Sequence, residues 1–276
     1  MKRRKQIYAF IFFVIVMLSL LLTIYPFAIM VSGSFKTQTE MNRYPLRLIP
    51  QEPTIENYLV LFDKIPFWRQ FGNSAFVALT SAVGSMLLTG LVAYGFTRFE
   101  FRGKSGLFGF VLATMMIPGQ VLMVPLFIVY RNVGLFGTYV PLIVPFLCGA
   151  SGIFLVRQVM MQVPIDLYES ATIDGCGEMR IYLTIALPLS SAGVGIQGVL
   201  TFMAAWNDFM TPLIYLNSEA RYTLSLGLMR LQDFYNIDYG TPLAGAFLSC
   251  LPILAILTLV GQKYFVQGLT AGAVKG

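Results

Sequence analysis

Long apolar runs separated by short polar connections make up this chain. A helix crossing a bilayer needs about 20 mostly apolar residues. Six stretches approach that length, at about 7–30, 73–96, 107–130, 139–156, 188–205 and 242–264. The longest polar connections are Ser32–Gly72, Arg157–Leu187 and Trp206–Thr241. The pattern predicts an all-α integral membrane protein with six transmembrane helices in one domain over 1–276. Lys2, Arg3, Arg4 and Lys5 precede the first run as in a secretory leader. A leader's apolar region is only about 7–15 residues long, so an uncleaved first helix is expected.

The runs are not plain anchors. Pro118 and Pro125 fall in the third, Pro145 in the fourth and Pro252 in the sixth. Each proline removes a backbone hydrogen bond, so kinks are expected. Small residues recur at four-residue spacing: Ser81, Ser85 and Thr89, then Ser191 and Gly195, then Gly240 and Ala244. That spacing lets helices approach closely in a membrane.

Composition agrees with the hydropathy. Hydrophobic residues make up 57% and charged residues 12% of the 276, half the share of roughly 25% in a soluble domain. The net charge of +6 is therefore read loop by loop, not as a nucleic-acid surface. With a cytoplasmic N-terminus, eleven Lys and Arg fall inside and eight outside, which places both termini and the 157–187 connection in the cytoplasm. There is no histidine, and Cys148, Cys176 and Cys250 are scattered. No metal site, disulfide framework or general base is expected. Charges are nearly absent from the run interiors, where ion-coupled transporters place acids or bases.

The 157–187 connection interrupts the apolar pattern with four acids and two arginines. Pro164–Glu169 reads as a helix start, Asp166 capping and Glu169 completing a capping box. Ile165, Tyr168, Ala171 and Thr172 share one side. Gly175 supplies a turn tolerant of positive φ. A second helix is expected over Glu178–Ala186, with Met179, Tyr182 and Leu183 on one face. Leu187-Pro188 should end it, with Pro188 in the first turn of the next span.

These residues carry a resemblance. Glu169-Ser170-Ala171, Gly175, Ile185, Leu187 and Pro188 closely resemble the EAA loop of bacterial ABC-importer permeases, with Ser170 where the pattern usually has Ala. The likeness extends to Phe71-Gly72-Asn73-Ser74, Ala93-Tyr94-Gly95-Phe96-x-Arg98, Met116-Ile117-Pro118, Val124-Pro125-Leu126, Ile173-Asp174-Gly175, Trp206-Asn207-Asp208-Phe209 and the ending Gln267 to Gly276. Together they resemble the carbohydrate-uptake branch, in particular the smaller, maltose-type membrane subunit.

The resemblance implies a type I importer permease in a bacterial cell membrane. Such a subunit forms the pathway as a heterodimer with a homologous permease, over two copies of a cytoplasmic ATPase, and takes sugar from an extracellular or periplasmic binding protein. It is not itself an enzyme. No phosphate-binding G-x-x-x-x-G-K-[ST] occurs, so ATP and Mg²⁺ are expected on the partner ATPase and no cofactor on this chain. Tyr168, Glu169, Ser170, Ala171, Asp174, Gly175, Ile185, Leu187 and Pro188 would couple to the ATPase. The tail 265–276, with Gln267, Gly268 and Lys275, would contact it too. Asn73, Gln120, Trp206 and Asn207 are candidates to line the pathway. The sugar is expected to be a di- or oligosaccharide. A polyol or glycerol phosphate permease of the same family, a stand-alone secondary transporter and a membrane enzyme are the alternatives.

Overall fold

A computed structural model describes residues 2–231 and 238–261. Among them every regular element is helical. The chain opens with α1 (Lys2–Ser34), then two short helices, α2 (Gln38–Arg43) and α3 (Glu56–Lys64). α4 (Phe67–Arg98) is followed by α5 (Lys104–Thr114), α6 (Gly119–Asn132), α7 (Val140–Leu147) and α8 (Ala150–Met160). α9 (Ile165–Ile173) and α10 (Glu178–Ile181) lead through a π-helical stretch, Tyr182–Ala186, into α11 (Leu187–Leu189). α12 (Ser191–Asn207), α13 (Met210–Tyr215), α14 (Leu224–Met229) and α15 (Gly240–Ile256) complete the order, the last extended by a π turn at Leu257–Gly261.

Four segments are long and apolar enough to cross a membrane: Tyr8–Ser34, Phe67–Arg98, Val140–Met160 and Gly240–Gly261. Two bent pairs bring the number to as many as six. They are α5 with α6, at 96°, and Glu178–Leu189 with α12, at 78°. The prolines thus act unevenly. Pro118 is the N-cap of α6 at the sharp bend, whereas Pro125 lies within α6. Pro145 lies within α7, and the chain breaks three residues later at Cys148.

The chain divides into two compact units. The first comprises Met1–Phe67 and Gly227–Leu251. Its polar loop is organised around Lys36, which is fully buried. Lys36 Nζ donates to the carbonyls of Tyr44 (3.0 Å), Pro45 (3.1 Å) and Arg47 (2.6 Å). Burial lowers the pKa of this ammonium, with Glu40 opposing that shift. Asn57 Nδ2 donates to the carbonyls of Ser34 and Lys36, closing the loop on the end of α1. Buried charges persist only when such partners are supplied.

The second unit comprises Trp68–Leu226 and Pro252–Gly276. α4, α8 and α12 pack there through the small residues of the sequence pattern. Ser81, Ser85 and Thr89 are fully buried. Gln197 Nε2 donates to Ser85 Oγ (3.2 Å) and Thr201 Oγ1 (3.0 Å), and Thr201 Oγ1 donates to Ser85 Oγ (3.3 Å). Thr89 Oγ1 donates to the carbonyl of Leu147, beside the α7–α8 break. A free carbonyl in lipid is costly, so a break survives where a neighbour supplies a donor.

Gly152 faces this network, and a Cβ there would strike the Gln197 side chain. Gly152→Val should destabilise the protein by about 1–3 kcal/mol. Gly95→Ala, where nothing lies within 4 Å, should be neutral or slightly stabilising. Thermal unfolding of the detergent-purified protein measures both; equal melting temperatures for the two variants would contradict the packing.

Candidate functional site

The polar connection folds as a helical hairpin. α9 begins after Pro164, whose side chain gives no cap hydrogen bond. Asp166 is therefore not the cap expected from the sequence. The helix starts earlier, and Asp166 lies in its first turn, where a carboxylate favours the helix dipole.

The C-terminus of α9 follows the sequence expectation closely. Gly175 has φ +78°. Its N–H donates to the carbonyl of Thr172, and the Cys176 N–H donates to that of Ala171. This pair of bonds is a Schellman turn. It satisfies two carbonyls the helix would otherwise leave free and reverses the chain into α10.

The second half of the hairpin departs from expectation. Glu178–Ala186 is not one α-helix, and Met179, Tyr182 and Leu183 do not share one environment. Ile181, Tyr182 and Ala186 are buried, while Met179 and Leu183 are exposed. The backbone also departs from a plain α-helix, since Tyr182–Ala186 is π-helical, with the Leu187 N–H reaching back to the Tyr182 carbonyl. Helical backbone continues through Pro188 in α11 and turns at Ser190 (φ −100°, ψ 10°). Pro188 therefore sits before the bend and not in the first turn of α12. Proline has no N–H to give, and the π turn re-phases the hydrogen bonds just ahead of it.

Beneath the hairpin lies one buried cluster drawn from five helices and the π segment. It holds Ala93 and Tyr94 (α4), Val156 and Met160 (α8), Tyr168 and Ala171 (α9), Ile181, Tyr182, Ala186 and Val194. Cys176, Ile185 and Leu187 pack against it. The hydroxyls of Tyr168 and Tyr182 are buried without a hydrogen-bond partner among the described residues. Burial raises the pKa of Tyr168, with the nearby Arg98 opposing.

A polar clamp crosses the top of the cluster. Arg98 Nη2 donates to Glu178 Oε1 (3.2 Å) and to Thr172 Oγ1 (3.0 Å), and Arg98 Nε donates to Glu178 Oε2 (3.4 Å). Tyr94 Oη donates to Glu178 Oε2 at 2.7 Å. The guanidinium also lies 5.7 Å from the Tyr168 ring centroid. One arginine at the last position of α4 thus grips both helices of the hairpin. Arg98, Thr172 and Glu178 stood outside the candidate set drawn from the sequence. Arg98 and the hairpin are sixty and more residues apart, and only the fold brings them together.

The structure sorts the motif residues into two sets. Tyr168, Ala171, Ile185 and Leu187 face the cluster. Glu169, Ser170, Asp174, Gly175 and Pro188 are exposed. At the hairpin tip Ile173 is 87% exposed, an apolar side chain with Glu169 and Asp174 near it in sequence. The sequence placed Ile173 in a family motif but gave it no role.

Each pathway candidate has its own surroundings. Asn73 Nδ2 donates to the carbonyls of Ala220 (3.0 Å) and Tyr222 (2.9 Å). Trp206 is buried, with its ring 5.3 Å from Phe71 and stacked on Phe202. Asn207 Nδ2 donates to Met203 in its own helix. Gln120 lines a cavity of about 310 Å³, with Tyr130, Thr211 and Tyr215 among its walls. Gln267, Gly268 and Lys275 lie outside the described residues.

Residues 86–270 match the model of a family described as binding-protein-dependent transport system inner membrane component. The arabinooligosaccharides transport system permease protein AraQ of Halalkalibacterium halodurans is 34% identical over 258 residues, 92% of each chain. The lactose transport system permease protein LacG of Rhizobium radiobacter is 31% identical, over 94% of this chain and 93% of that one. A chain in the crystal structure of a bacterial ABC transporter involved in the import of the acidic polysaccharide alginate superposes with a TM-score of 0.84. It is 22% identical, covering 95% of this chain and 98% of that one, and at that identity the likeness establishes the fold.

The hairpin turn makes its own prediction. Gly175 has open space around it, so substitutions there cost backbone strain alone. Asn adopts positive φ more readily than a β-branched residue. Gly175→Val should speed hydrogen exchange of the Cys176 amide more than Gly175→Asn does. Equal protection in both variants would show that the turn tolerates any residue.

Proposed function

The chain belongs to the family of binding-protein-dependent transport system inner membrane components, a multi-pass, non-enzymatic permease subunit of a sugar-type ABC importer, and we propose that its 164–188 hairpin receives the motion of a separate ATPase. The carrying observation is the two-sided hairpin. Its inner face is fixed by the buried cluster and Arg98, and its outer face presents Ile173 with charged neighbours. An exposed apolar residue within a polar rim is the anatomy of a protein interface.

On this reading the hairpin faces the cytoplasm, in line with the Lys/Arg bias, and both termini share that side. The transporter is a heterodimer of this chain with a second, homologous permease above two ATPase copies. ATP and Mg²⁺ are held by the ATPase, and this chain carries no cofactor. The tail from Gln267 to Lys275 lies on the ATPase side. A binding protein outside the membrane delivers the substrate, in keeping with the family's description. The substrate is a di- or oligosaccharide, in line with relatives named for arabino-oligosaccharides and lactose. A stand-alone secondary transporter does not fit a family that works with a binding protein.

Reconstitution with the partner chains tests this. Glu169→Lys and Ile173→Asp should each lower sugar uptake and binding-protein-stimulated ATP hydrolysis at least about tenfold, with the variant still inserted and bound to the second permease. Wild-type uptake in both would remove the hairpin from the coupling path. Uptake of labelled oligosaccharides against glycerol 3-phosphate separates the two substrate classes.

A further inference from the structure

We propose that α4 is a connecting rod between the hairpin and an outer loop, with Arg98 and Asn73 as the positioning residues at its two ends. The inference rests on the coupling reading above and adds the route by which motion leaves the hairpin.

The covalent route is compliant. From the hairpin the chain runs through the π segment and turns 78° at Ser190 before α12 begins. A bent junction yields to a push along the axis of the next helix. The route through space is tight. The Arg98 guanidinium holds Glu178 and Thr172, one residue on each helix of the hairpin, and Tyr94 adds a second bond to Glu178. Bonds to charged groups are the stronger kind, and the forked guanidinium fixes direction as well as distance.

α4 runs unbroken for 32 residues, about 48 Å at the helical rise. That is enough to carry a displacement across the bilayer. At its far end Asn73 Nδ2 holds the carbonyls of Ala220 and Tyr222. At the next residue, Ser74 Oγ accepts the N–H of Leu224 at 2.8 Å. Arg221 adds a further tie, its guanidinium donating to the Gly137 carbonyl. The segment 220–224 is thus gripped by the same helix that grips the hairpin. Whatever displaces one end of the helix displaces the other, and the coupling works equally in both directions.

The test uses the complete transporter in proteoliposomes with its binding protein, reading stimulated ATP hydrolysis, sugar uptake and ATPase co-purification together. Arg98→Ala and Asn73→Ala should each reduce stimulation by loaded binding protein about tenfold, with the ATPase still co-purifying. Acting in series, the double variant should be no worse than the weaker single one. The exchange Arg98→Glu with Glu178→Arg should recover part of the loss, which keeps the proposal testable if Arg98→Ala fails to insert. Stimulation within twofold of wild type in Arg98→Ala, multiplicative losses in the double variant, or loss of the ATPase from the Arg98→Ala complex would each overturn it. If Glu169→Lys abolishes stimulation while Arg98→Ala does not, the rod fails and the docking hairpin stands. If neither variant matters, the coupling reading itself fails.

Discussion

One guanidinium decides how the base of this protein is organised. Arg98 is the last residue of a helix otherwise made for lipid and packing. At that position it reaches past the apolar cluster to the two polar groups that define the hairpin, Thr172 and Glu178. Removing it would leave Glu178 with the Tyr94 hydroxyl as its remaining partner among the described contacts. The cluster below supplies cohesion, but apolar contacts are non-directional and allow sliding. The clamp supplies the direction.

The same division of labour recurs along α4. Its middle carries Ser81, Ser85 and Thr89 in a fully buried stripe, where small side chains admit Gln197 and Thr201 of α12 to hydrogen-bonding distance. Lipid offers no hydrophobic drive for helices to associate, so close fit and polar bonds hold them. Gly152 belongs to this fit, since α8 meets Gln197 where no side chain has room. α4 is therefore held by shape at its centre and by polar grips at both ends.

The sequence disclosed some of this and hid the rest for physical reasons. Gly175 was legible because a helix that must reverse needs a residue tolerant of positive φ, and the chain offers one at the right distance. The four-residue stripe in α4 was legible because helical period survives in the spacing of small residues. The buried face of 178–189 was not. Ile181, Tyr182 and Ala186 turn inward while Met179 and Leu183 stay exposed, and both sets fall at helical spacing, so periodicity alone does not choose between them. Nor could spacing reveal that Arg98 serves the hairpin, because their contact is made by folding and not by sequence proximity. Asn73 and Trp206 read as pathway candidates from their positions at span ends. Among their partners, the Ala220 and Tyr222 carbonyls and the Phe71 ring come from distant segments, while Phe202 stacks on Trp206 from the preceding turn of α12.

The split within the motif is what the proposed coupling role would ask of it. A surface that only docks needs outward residues, and one that only folds needs inward ones. Here four motif residues anchor and five lie open, alternating along a hairpin too short to have a core of its own. An isolated helix of this length is marginal in water, so the hairpin's shape depends on the cluster of α4, α8 and α12 under it. A force on the outer face therefore cannot be absorbed by the hairpin alone. It must deform the turn at Gly175 or move the helices below. The Schellman bonds close the turn and Arg98 spans its two sides, so the helices are the part left to move.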